Sequence, residues 1–410
     1  MTQEEFQIFC NKQQHLYTAI KERLKHKEVI NIGFLVVDDN AFSYHNVIKE
    51  LQKDARFAIS IFVIPLITKS KEHIAYTLQK TFANLSRQYS NVYYGYDLTT
   101  SSFVDIAPFM DIAFFCNPYD FGVNPIHQIQ HLSNTVLCAY VPYAYTGKVN
   151  YDLGVFQSIE YSLLWKVYGE NPKIQDLIYQ HQLAKVNNVE SIGYPKMDNL
   201  YNLKKSIVAG GGGFSKTIII APHHTITDWP GLQLSNFLRY SDFFLDLPKL
   251  YPNIYFIFRP HPLLIDVLRQ NPTLWNGTWE GYLDKISKIP NMIYDNSSDY
   301  FQTFVDSDAL IHDCGSFISE YLYTDNPMCF MGRNDAFDKT FTEFGAEILK
   351  YVYVAFQEQE ILNFIDKVVV GGKDTMRKKR IQYAKNTIRF NYPNASAALV
   401  KNLTKEIFGE

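Results

Sequence analysis

The stretch "ALIHDCGSFISEYLYTDNPMCFM", residues 309–331, decides the fold class. It opens on an apolar run that stops at His312-Asp313, continues through Gly315-Ser316 into a helix-like segment carrying Glu320, and closes on a second apolar run, "PMCFM". Strand, polar turn, helix and strand in so short a span is the pattern of a parallel crossover. The same pattern extends in both directions. Upstream in the second half, "TIIIAP", "IYFIFRPHP" and "NMIYD" read as strands with helices between them. In the first half "VINIGFLVVDD", "FAISIFVIP", "VYYGYD", "DIAFFCNP" and "TVLCAYVPY" form a second series, with "SYHNVIKELQK" and "HIAYTLQKTFANL" as helices. Continuous apolar runs separated by helices predict parallel sheets covered on both faces.

At 410 residues the chain is too long for one ordinary core. Near residues 193–216, "GYPKMDNL" and "AGGGGFSK" read as a hinge and a flexible loop, since successive glycines hold neither helix nor strand. The organisation expected is an N-terminal Rossmann-like domain over 1–200, a C-terminal Rossmann-like domain over 201–372 and a helical tail over 373–410. Two doubly wound domains facing across a cleft would hold a ligand beyond the carboxyl ends of their strands.

Composition excludes several classes. The net charge is −3 and no polybasic tract suggests a nucleic-acid footprint. Five cysteines without a CxxC pair argue against a disulfide framework or a thiolate metal cluster and fit a reducing cytoplasm. The amino terminus lacks a signal-peptide pattern, and "FAISIFVIPLI" is far short of the ~20 residues needed to span a bilayer. A cytoplasmic protein is expected. The basic stretch "TMRKKRIQYAKNTIRF" leaves peripheral contact with the inner membrane face open, though a solvated helix face explains it as well.

In a parallel sheet the carboxyl ends of strands share one edge. "TIIIAP" is followed by His223, His224 and Thr225, "IYFIF" by Arg259 and His261, and "ALI" by His312, Asp313, Gly315 and Ser316. The chemistry suits a phosphate: Gly315 and Ser316 open a helix, Arg259 offers a bidentate fork, and His224 and His261 can donate hydrogen bonds or move protons near neutrality. Glu320, four residues after Ser316, lies on the same helix face and suits a ribose diol or a histidine. Any one of these has a plain alternative, since a strand-end histidine is usually structural and Ser316 could be only an N-cap. Their convergence on one edge is the informative feature. No carboxylate cluster implies a metal there, and no cofactor is expected. In the first half, Asp120, Tyr140, Tyr143 and Tyr145 also follow strands and could face an acceptor, or simply pack.

Taken together, "APHHTI", "FRPHPLL", "SDALIHDCGSFISEYL" and "GYPKMDNL" resemble the CDP-glycerol glycerophosphotransferase family of teichoic-acid and capsule-building enzymes. The first-half segments "VVDDNAFSYHNVIKEL" and "YVPYAYTG" resemble a capsule-associated branch of it. The resemblance implies a GT-B fold with the donor nucleotide held mainly by the second domain. It also implies transfer of an alcohol phosphate from a CDP-linked donor to a hydroxyl of a glycan or lipid-linked acceptor, with CMP leaving. By the family pattern, His261 and the Asp313-to-Ser316 turn would bind the pyrophosphate. One departure stands out: where teichoic-acid polymerases carry a Trp-His-Gly-Thr-Pro segment, this chain reads "AYVPYAYTG", without a histidine. His224 is the substitute base expected here. The alternative is a sugar transferase or UDP-sugar epimerase on the same fold; a binding subunit without turnover is the third reading.

Overall fold

The computed structural model describes residues 2–68, 70–206, 213–227, 229, 231–297, 299–333 and 337–410. Most of the glycine run expected to form a flexible loop, at 207–212, lies outside the described residues. The chain forms two compact units, one made of Met1–Tyr145, Leu153–Asp198 and Phe390–Glu410, the other of Thr146–Asp152 and Asn199–Arg389.

The first unit is built on seven parallel strands: β1 (Ile30–Val36), β2 (Phe57–Val63), β3 (Val92–Tyr94), β6 (Ile112–Phe115), β7 (Leu137–Tyr140), β8 (Lys166–Gly169) and β9 (Val189–Ser191). A small antiparallel pair, β4 (Tyr96–Asp97) and β5 (Ser102–Phe103), stands apart. The sheet order is β3-β2-β1-β6-β7-β8-β9. β6 and β7 are buried at every position, as strands covered on both faces must be. A 22-residue helix, Gln3–Leu24, starts at a Thr2/Glu5 capping box and buries Phe6, Cys10, Tyr17, Ile20 and Leu24.

The last helix, Ala395–Phe408, belongs to this unit because of its stripe. Leu399, Leu403 and Ile407 recur every four residues and are fully buried in the first core. Asp198 receives that helix's first amides, from Ala395 at 3.2 Å and Ser396 at 2.8 Å. Gly193, at φ +99°, lets Phe390 pass, since a Cβ there would lie 2.4 Å from its carbonyl oxygen. The stretch 373–410, read from sequence as one tail, is thus divided between the units at Arg389/Phe390.

The second unit holds six parallel strands: β10 (Lys216–Ala221), β11 (Ile254–Phe258), β12 (Met292–Tyr294), β13 (Ala309–His312), β14 (Met328–Met331) and β15 (Tyr353–Ala355). Their order is β12-β11-β10-β13-β14-β15, so chain direction across the sheet reverses between β10 and β13. The excursion Thr146–Asp152 joins this unit from the first half of the chain. Thr342 fastens it by Oγ1 to the Gly147 carbonyl (2.6 Å) and by its amide to the Lys148 carbonyl (3.0 Å).

Candidate functional site at the carboxyl ends of the second sheet

Register decides what meets at this edge. Ala221 of β10 pairs with His312 of β13, and Ile220 of β10 with Phe258 of β11. The segments that follow therefore emerge side by side, at the point where strand order reverses and an open parallel sheet leaves a crevice. His223, His224, Thr225, Arg259, His261, Asp313, Gly315 and Ser316 all come from these three exits.

Asp313 ties them together. It is fully buried and accepts from the His223 amide (2.5 Å), the Asn236 amide (2.6 Å) and Asn236 Nδ2 (3.4 Å). Burial pushes its carboxyl up to about 7, while these N–H donors favour the ionised form. Asn236 also reaches the Met331 carbonyl (3.0 Å), and Ser235 Oγ donates to the His223 carbonyl (2.7 Å). Neither residue carried a motif; they stand just ahead of the helix Phe237–Leu250, and only the fold makes them neighbours of Asp313.

Three imidazoles gather above this latch. The ring centroids of His223 and His224 lie 4.2 Å apart, His224 and His261 4.3 Å, and His223 and His261 4.9 Å. One ligand atom from each lies within 4.8 Å of the others, a spacing that could hold a metal ion. Burial lowers His224 to about 4 and, with neighbouring His224 adding to it, His261 to about 3, so both are neutral at pH 7. His223 is held well below its ordinary value by burial and by the other imidazoles. Thr225 stands beneath His223, with Oγ1 2.9 Å from its Nδ1.

Gly315 and Ser316 form the adjoining turn. The helix they open, Phe317–Glu320, has only four residues before it tightens into a 3-10 turn, so its dipole is small. What remains is the backbone: the Gly315 and Ser316 amides find no acceptor among the described residues. A Cβ on Gly315 would make ordinary contact with Leu234 at 3.4 Å and Val149 at 3.9 Å. Packing therefore does not demand glycine here; Gly315 is itself buried and Ser316 half-buried.

Other expected residues fall elsewhere. Arg259 points at the loop after β12, where Nη1 meets Asp295 (2.5 Å) and Ser297 Oγ (3.0 Å), and Nη2 the Ser297 carbonyl (2.6 Å). Its fork is filled by a carboxylate from the neighbouring strand end, the last residue of "NMIYD". Glu320 is buried and accepts from Tyr300 Oη at 2.6 Å. His312 lies wholly inside the core, with Nδ1 3.1 Å from the Cys314 carbonyl and its ring edge-on to Phe330. In the first unit Tyr140 is a core residue against Tyr161, whereas Tyr143 is exposed and its carbonyl accepts from Tyr194 Oη and Lys196 Nζ. Asp120 and Tyr145 are buried as well: Asp120 accepts the Ile129 amide at 2.8 Å, and Tyr145 Oη that of the Asn171 side chain at 2.6 Å.

Two doubly wound parallel sheets, with a polar site at the switch point of the second, define an α/β fold of the GT-B type. Among solved structures, the UDP-GlcNAc 2-epimerase of Neisseria meningitidis bound to UDP-GlcNAc is similar at a TM-score of 0.56 and 14% identity, over 92% of this chain and 99% of that one. The wall teichoic acid polymerase TagF, as a variant soaked with CDPG, is similar at 0.58 and 14%, over 99% and 97%. Anabaena HepE in complex with UDP and glucose follows at 0.53 and 12%, over 92% and 100%. At such identities the likeness is one of fold. No family model matches the chain, and no curated protein matches it in sequence.

Proposed function

We propose that this protein transfers an alcohol phosphate from a CDP-linked donor, such as CDP-glycerol, to a hydroxyl of a cell-surface glycan or lipid-linked acceptor. The observation that carries the reading is the gathering of His223, His224 and His261 at the switch point of β10 and β13, where the Gly315-Ser316 turn leaves its amides without an acceptor among the described residues. Neutral imidazoles and free amides form a site for a diphosphate, and positioning with charge stabilisation is most of what phosphoryl transfer requires.

In this mechanism the acceptor oxygen attacks the phosphorus that bears the alcohol, in line with the bridging oxygen. The bond to that oxygen breaks, and CMP leaves with the electron pair. His224 takes the acceptor proton. His223, His261 and the turn amides stabilise the departing phosphate. Arg259 acts from behind, fixing the Asp295–Ser297 loop, and Glu320 is held by Tyr300 close to the same turn.

The second reading, a UDP-sugar epimerase or glycosyltransferase, draws on a fold likeness as strong as the first. The strand-end motifs favour the CDP-alcohol class. Incubation with CDP-glycerol and with UDP-GlcNAc separates them. The proposal expects CMP from the former, dependent on a hydroxyl acceptor. Isomerisation of UDP-GlcNAc, or release of UDP, without CMP would overturn it.

A further inference from the structure

Three histidines this close invite a metal, but the contacts on their far nitrogens point elsewhere. A backbone N–H can only donate, so a ring nitrogen that receives one must be unprotonated. His261 Nδ1 accepts the Leu263 amide at 3.2 Å. His223 Nδ1 accepts the Thr225 amide at 3.4 Å and lies 2.9 Å from Thr225 Oγ1. That hydroxyl in turn accepts the Leu234 amide at 3.2 Å, which leaves its own hydrogen for His223. In both neutral rings the proton must then sit on Nε2. A metal-bound histidine needs the reverse, a bare nitrogen towards the ion and an N–H towards an acceptor behind it. His312 shows that reversed arrangement nearby, since its Nδ1 faces the Cys314 carbonyl and must carry the proton.

We propose that Thr225 is a positioning residue which, with the Leu263 amide, locks His223 and His261 as neutral Nε2–H donors and so makes the histidine trio a receptor for an anionic diphosphate, not for a transition metal. His224 differs: its Nδ1 is buried without a hydrogen-bond partner among the described residues, so no contact behind the ring fixes its tautomer. The trio thus divides into two locked donors and one ring whose proton is not held in place. Diphosphate oxygens take the two donors. The inference rests on the reading of this edge as a diphosphate site, but not on the identity of nucleoside or alcohol.

The test uses the full chain labelled with 15N-histidine, together with Thr225→Val and Thr225→Ser. Long-range 1H–15N correlation should show protonated Nε2 and bare Nδ1 for His223 and His261, and the opposite for His312. Inorganic pyrophosphate should bind the wild type and Thr225→Ser alike, and Thr225→Val about tenfold more weakly with loss of the single His223 tautomer. Zn2+ should bind no tighter than to a His223→Ala variant. A protonated Nδ1 on His223 or His261, or stoichiometric Zn2+ binding that depends on His223, would overturn the proposal. Because the first of these readouts uses only the wild type, it decides even if Thr225→Val does not fold. Pyrophosphate binding with the expected tautomers, but without CMP release from CDP-glycerol, would sink the proposed reaction and leave this inference standing.

Discussion

At the residue scale the histidines do different work and should fail differently. His224→Ala removes the proposed base and should lower turnover by about 10²–10⁴-fold, as loss of general base catalysis does, with pyrophosphate binding little changed. His261→Ala removes a donor and should weaken both turnover and nucleotide binding with the fold intact; wild-type turnover in either variant, measured as CMP release, would contradict its role. His312 is a stability residue. Burial holds it at about 3, below the ordinary 6.5. The unfolded chain takes up that proton first, so stability is intact above pH 6.5 and is lost as pH falls towards 3, at about 1.4 kcal/mol per pH unit. Asp313 works the other way. Its folded value of about 7 lies above the unfolded one near 3.8, so its protonation favours folding at low pH and that contribution disappears as pH rises through 7. With the depressed His223, His224, His261 and His312 set against the raised carboxyls of Asp313 and Asp152, the second unit should lose stability between pH 6.5 and 5. His312→Asn should lessen the fall in Tm over that interval, and an unchanged slope would count against the account.

At the element scale two glycines make opposite predictions. A Cβ on Gly345 would stand 2.0 Å from the Lys148 carbonyl oxygen, which cannot give way because Thr342 holds that segment. Gly345→Ala should therefore destabilise the second unit by about 2 kcal/mol or more, seen in thermal unfolding. Gly315→Ala meets only ordinary contacts, so Tm should hold while pyrophosphate binding weakens; equal losses at both positions would remove the special status of the Gly315 turn. The long buried strands were legible because β1, β2, β10 and β11 are continuous apolar runs. Short strands β8, β9 and β15, three or four residues each, were not. Their pairing in the sheet is what defines them. "VYYGYD", read as one strand, breaks at Gly95 into β3 and β4.

At the scale of the whole molecule, the two-sheet plan and the strand-end convergence in the second half were readable, because a repeated strand-and-helix pattern implies parallel topology and hence a shared edge. The crossings were not: Thr146–Asp152 and Phe390–Glu410 each join the unit that sequence order would not give them. Those memberships depend on contacts between distant residues, such as Asp198 with Ala395 and Thr342 with Lys148. The pairing of Arg259 is of the same kind, since its partner Asp295 lies 36 residues away. Among the described residues no helix is long and apolar enough to cross a membrane. The basic stretch near the end is partly internal, with Arg380 buried on Asp374 (2.5 Å) and Arg389 paired with Asp325.

The central claim is that this edge holds the diphosphate of a cytidine-linked donor. Calorimetric titration of the wild type and His261→Ala with CDP and with UDP tests it most directly. The account predicts tighter binding of CDP than of UDP by the wild type, and loss of that binding in the variant. Preference for UDP, or affinity for CDP untouched by the substitution, would contradict it.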